Sequence, residues 1–124
     1  MRRVLLDQNV PRKLRNFLPD DEVFTAFQMG WSTLVNGHLI AAASEAKFDI
    51  LITGDKNIPH QNHLDGLQLA LVVLTEQRWQ DLKENGEIVQ NAVANAEAGT
   101  ISIATIPRRS RFSDPFPQKR RDPS

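Results

Sequence analysis

Two unbroken apolar runs constrain this chain more than anything else in it. Residues Ile50-Leu51-Ile52-Thr53 and Leu69-Ala70-Leu71-Val72-Val73-Leu74 lack period-two alternation. Each therefore fits a strand covered on both faces, the first from about Asp49 to Thr53 and the second from Leu69 to Leu74, as in a mainly parallel sheet between helices. The first run stops abruptly at Gly54-Asp55-Lys56-Asn57, and nearer the N-terminus Val4-Leu5-Leu6 stops at Asp7-Gln8-Asn9. Two strands that each finish on an aspartate are informative, because open α/β sheets bind ligands in the crevice outside the carboxyl ends of their strands. Asp7 and Asp55 are expected at one such edge.

The remaining elements alternate with these strands. Asn9-Val10-Pro11 is expected to open a helix running to about Leu18, since Asn caps well and Pro suits a first turn. Val10, Leu14, Phe17 and Leu18 would form its buried face. Pro19-Asp20-Asp21 closes it, and Glu22 to Ala26 reads as a second strand. Phe27, Met29 and Trp31, in the loop that follows, read as core fillers rather than as surfaces for stacking a base. A second helix begins near Asn36-Gly37 and buries Leu39, Ile40, Ala42, Ala43 and Ala46. A helical pattern from Arg78 to about Ala98 is interrupted at Asn85-Gly86, and Gly99 stops it. Ile101 to Ile106 alternates and suits an edge strand. The order of strands and helices gives an α/β fold built from βαβ units.

At 124 residues the chain has room for one domain with a core. Its zero net charge conceals an uneven distribution. Residues 107–124 hold six basic and two acidic side chains, whereas residues 1–106 hold nine basic and thirteen acidic ones. The expected organisation is a domain over 1–106 and a basic, proline-rich tail over 107–124 that is disordered in isolation. The tail serves either as a phosphate-contacting arm or as a solvated solubility arm. The chain has no cysteine, which excludes disulfides, zinc–thiolate sites and cysteine nucleophiles. No apolar run approaches the roughly 18–20 residues of a membrane span, so the expectation is a cytoplasmic protein with no membrane partner.

Paired strand-end aspartates suit a hard divalent cation, Mg²⁺ or Mn²⁺, which takes oxygen ligands and keeps several waters. Thr53 is placed to orient Asp55, Lys56 to pair with a phosphate, and Asn57 to meet a water or the substrate backbone. The alternative is ordinary turn chemistry, in which Asp and Asn side chains bond nearby backbone. Asp49 lies at the opposite end of the same strand from Asp55 and is assigned no role. His60 and His63 have i,i+3 spacing but read as part of an exposed polar loop. A haloacid-dehalogenase-type phosphatase needs a second Asp two residues after the first, where this chain has Asn9. A receiver domain needs an acidic pair and a late lysine, a pattern that is also poorly met.

Leu5-Leu6-Asp7-Gln8-Asn9-Val10-Pro11 and Ile50-Leu51-Ile52-Thr53-Gly54-Asp55-Lys56-Asn57 resemble two segments of the small bacterial PIN-like proteins, relatives of the VapC-type toxins. The resemblance covers roughly residues 3–106. It implies a PIN-like three-layer α/β/α sandwich and a metal-dependent ribonuclease, often a toxin encoded beside a small antitoxin protein. Carried onto this chain, Asp7 and Asp55 match the metal-binding acids, with Thr53 and Asn57 beside them in the catalytic set. Lys56 and Asn9 fall to the substrate. His38 stands where relatives place an acid at the start of a helix, so it would be the third metal ligand. A site with two carboxylates loses charge that dominates hard-metal binding; either it shifts toward softer metals or its catalysis is weak or absent. Glu45, seven residues on, lies about two turns away and does not replace that acid. The expected partners are RNA, an antitoxin and a second copy of the chain in a homodimer.

Overall fold

A computed structural model describes residues 2–34, 36–57, 64 and 66–108, apart from the side chain of Asn36. The elements are β1 (Arg3–Leu6), a 3₁₀-helix (Arg12–Phe17), β2 (Glu22–Thr25), α1 (Asn36–Glu45), β3 (Ile50–Thr53), β4 (Ala70–Leu74), α2 (Trp79–Lys83), α3 (Gly86–Ala94) and β5 (Ile101–Ala104). The five strands form one parallel sheet in the order β2-β1-β3-β4-β5. The chain is thus α/β, as its apolar runs imply. The expected His60/His63 loop and residues 109–124 of the tail lie outside the described residues.

Side-chain alternation along the strands explains why both faces are covered. Val4, Leu6, Ile50, Ile52, Ala70, Val72 and Leu74 point into a core with Val10, Leu14 and Leu18 around the 3₁₀-helix and with Leu82, Val89 and Val93 of α2 and α3. Leu5, Leu51, Leu71 and Val73 point the other way, into a core with Leu39, Ile40 and Ala43 of α1 and with Phe48. Every residue of β3 and β4 is buried, so an apolar side chain at each position removes surface from water on one face or the other.

The segment after β1 keeps the expected buried face but not the expected helix. Pro11 is extended, and after the six helical residues Leu18 closes the element by bonding its N–H to the carbonyl of Arg15. Pro19 disfavours a helical Leu18 and so keeps the element short, although six residues is long for a 3₁₀-helix. Asn9 does not cap it; the residue before the first turn is Pro11, without a side-chain cap. The pattern from Arg78 divides into α2 and α3 at Asn85-Gly86, as expected, and the Phe17 ring lies where a side chain on Gly86 would stand. Phe17 also packs on Trp79, with ring centroids 5.7 Å apart.

α1 ends in a Schellman motif. The N–H of Lys47 bonds to Ser44 O and that of Phe48 to Ala43 O. Lys47 has φ 67°, the conformation that usually selects glycine at this place. At the amino end of the sheet, Asp49 accepts the backbone N–H of Arg3 at 2.8 Å and so ties β3 to β1, well away from the aspartate edge. The guanidinium of Arg3 rests over the rings of Phe48 and Phe24, 4.6 and 5.1 Å from their centroids. β5 is an edge strand as expected, but Ser102 and Ala104 share their face with the core residue Ile106, while Ile101 and Ile103 are exposed. No described helix is long and apolar enough to cross a membrane.

Candidate functional site

The strand order reverses at β1. From β1 the chain crosses to β2 on one side, then returns past β1 to β3 on the other. Connections that diverge in this way leave a crevice at the carboxyl ends of β1 and β3. Leu6 pairs with Ile52, and the ladder continues one step further through the Asp7 N–H to Ile52 O at 2.9 Å. Strand alternation then sets Asp7 and Thr53 side by side on the face of Leu5 and Leu51.

Thr53 is fully buried and joins the two acidic segments. Its hydroxyl donates to Asp7 Oδ2 at 2.7 Å and accepts the backbone N–H of Asp55 at 3.0 Å. Asp7 is 8% exposed, and its Oδ1 accepts the N–H of Gln8 at 2.7 Å. Asp55 is half-buried and closes an Asx turn, with Oδ1 accepting the N–H of Asn57 at 2.9 Å. Both carboxylates therefore take part in turn chemistry as well as facing the crevice edge. Asn9 Oδ1 accepts the Gly54 N–H at 3.1 Å, so this side chain braces the second acidic segment from the first. Lys56 and Asn57 are exposed beyond them.

A further brace comes from β4. Gln77 donates through Nε2 to Gly54 O at 3.3 Å and to Leu74 O at 3.4 Å. A Cβ on Gly54 would run into the Gln77 side chain, which would have to shift to make room for it. Gln77 has no sequence signal, being one polar residue in a loop after a strand.

His38 does not join the two aspartates. It is exposed on α1, whose next residues Leu39 and Ile40 occupy the buried face. Among the described residues, no three side chains of His, Cys, Asp or Glu gather closely enough to hold one ion, so Asp7, Asp55 and His38 are not such a group.

Beside Asp7 a cleft of about 790 Å³ opens between the 3₁₀-helix and the turn after β2. Among the described residues Asp7 is its one acidic lining residue, and Arg12, Lys13 and Arg15 line its helix side. Phe27 stands opposite and is 79% exposed, contrary to its expected place in the core. Met29 and Trp31 do pack inward, with Trp31 meeting Phe48 edge to face at a centroid distance of 6.1 Å. The basic wall was foreshadowed only by the three-residue spacing of Arg12 and Arg15, and nothing local distinguishes Phe27 from its buried neighbours.

Comparison of the chain with protein-family models, curated proteins and solved structures finds no match. The functional reading therefore stands on the geometry of the edge and on the two acidic segments.

Proposed function

We propose that the chain is a metal-dependent ribonuclease of the PIN-like type, acting at the carboxyl edge of β1 and β3. The observation that carries this reading is the linkage of Asp7 to the Asp55 segment through the buried Thr53 hydroxyl at a strand-order reversal. The donor set suits a hard cation. It is all oxygen, and each hydrogen-bonded oxygen of Asp7 and Asp55 keeps a lone pair. Asp7 and Asp55 would hold Mg²⁺ or Mn²⁺ with several waters retained. Such an ion supplies polarisation of a phosphoryl oxygen and a more acidic water. Thr53 orients Asp7, Asn9 and Gln77 fix the Gly54 turn, and Lys56 and Asn57 face the substrate backbone.

A second reading, a PIN-like module that binds nucleic acid or a protein but cuts weakly or not at all, is favoured by the lack of a third metal-binding side chain among the described residues. The experiment is incubation of purified protein with RNA and Mn²⁺ or Mg²⁺. The nuclease reading expects cleavage that Asp7→Ala and Asp55→Ala abolish; cleavage unchanged in both removes it. A His38→Glu variant that gains activity over an inert wild type supports the second reading on a competent scaffold. The family resemblance also extends the proposal to a small antitoxin partner and a homodimer. Co-expression with the product of an adjacent small reading frame, followed by sizing of the complex, tests both.

A further inference from the structure

We propose that the cleft between the 3₁₀-helix and the turn after β2 seats one nucleotide of single-stranded RNA, its base stacked on Phe27 and the adjoining phosphates held by Arg12 and Arg15. The substrate class rests on the nuclease reading; the subsite rests on the cleft itself.

Phe27 is presented rather than left over. The turn that carries it is closed by a reciprocal pair of bonds, Gln28 N–H to Thr25 Oγ1 at 3.1 Å and Thr25 N–H to Gln28 Oε1 at 2.9 Å. This is the capping-box arrangement of Thr and Gln three residues apart. Gly30, at φ 78°, then lets Trp31 bond back to Ala26 O at 2.8 Å. With Trp31 and Met29 anchored in the core, the turn holds one large aromatic ring in solvent at the cleft. An exposed ring on a braced turn offers a stacking face to any base.

The opposite wall supplies the charge. A 3₁₀-helix has three residues per turn, so Arg12 and Arg15 lie one above the other along the cleft. Both are exposed, and among the described residues no carboxylate lies within ion-pair distance of either. Lys13 lines the same cleft while its ammonium also leans toward Trp79, 5.9 Å from the ring centroid. Three of the nine basic side chains in residues 1–106 are thus concentrated within four positions of an otherwise acidic body. An acidic peptide would match the arginines but offers nothing that favours a stacking ring. A strand with alternating phosphates and flat bases matches both walls, and its backbone runs on toward Asp7.

The test uses the full chain and a fluorescein-labelled oligouridine ten-mer, with binding read by anisotropy in EDTA so that cutting does not interfere. Phe27→Ala is expected to weaken binding roughly 5- to 100-fold, with Phe27→Trp restoring it. Arg12→Gln/Arg15→Gln is expected to weaken binding and to flatten the salt dependence by about 1.4 log units per log unit of salt, for two lost phosphate contacts. All three sites are exposed, and unchanged melting temperatures confirm intact variants. Wild-type affinity in both the Phe27→Ala and the double-arginine variants overturns the proposal, as does tighter binding of duplex RNA that ignores Phe27. RNA that binds through Phe27 but is not cut with metal present sinks the nuclease reading and leaves the subsite standing. Cleavage and binding indifferent to Phe27 and the arginines sink the subsite alone.

Discussion

Replacing Thr53 by Val keeps the shape of a fully buried side chain and deletes its hydroxyl. Two bonds disappear, one to the ionisable Asp7 at 2.7 Å and one from the Asp55 N–H at 3.0 Å. A hydrogen bond to a charged group contributes about 1.5–3 kcal/mol and a neutral one about 0.5–1.5 kcal/mol. The sum is reduced because Asp7 is 8% exposed and Asp55 only half-buried, so water replaces part of what is lost. A destabilisation of about 2 kcal/mol is expected. For a domain near this size, 1 kcal/mol moves the melting temperature by roughly 4 °C or more, so the midpoint should fall by about 8 °C. Thr53→Ser keeps both bonds and loses only a buried methyl group, a cost of about 1 kcal/mol. Differential scanning calorimetry of the three proteins decides the matter. If Thr53→Val melts within about 2 °C of wild type, or if Thr53→Ser falls as far as Thr53→Val, the hydroxyl does not join the two segments.

Lys47→Gly should stabilise the protein by about 0.5–1 kcal/mol, because a left-handed residue ending α1 carries a needless Cβ; a lower melting temperature would contradict this. Gly54→Ala should push Gln77 off the carbonyls of Gly54 and Leu74 and cost about 1–2 kcal/mol. In the Gly54→Ala background, Gln77→Ala should then cost little more, and a denaturant double-mutant cycle with additive losses would show that the two do not act together. Leu51→Ala, at a fully buried position of β3, should cost about 2–5 kcal/mol in urea unfolding with little change in slope.

The sheet was legible because burial on both faces leaves an unmistakable trace. Ile50 to Thr53 and Ala70 to Leu74 became β3 and β4 within one residue of the apolar runs, and Asp49 tied the end opposite the aspartates. The neighbouring ends of Asp7 and Thr53 followed from the same strands. The 3₁₀-helix was not legible as such, since the apolar positions of so short a segment fit either helical geometry. Asn9 was legible as a polar strand-end residue but not as a brace for Gly54, a partner 45 residues away. Phe27 was misplaced because Phe27, Met29 and Trp31 are equivalent in composition. The turn that separates them is held by the Thr25–Gln28 bonds and by Gly30, and Phe27 is the one that faces out.

The bond between Thr53 and Asp7 also has a direction. The single hydroxyl hydrogen of Thr53 is given to Asp7, and its lone pair is left for the Asp55 N–H. The rotor is thereby locked, and the donors run one way, from the Asp55 backbone through Thr53 to Asp7. One oxygen atom thus serves both strand ends, and the position of the Asp7 carboxylate and that of the Asp55 turn are fixed relative to each other by a single side chain.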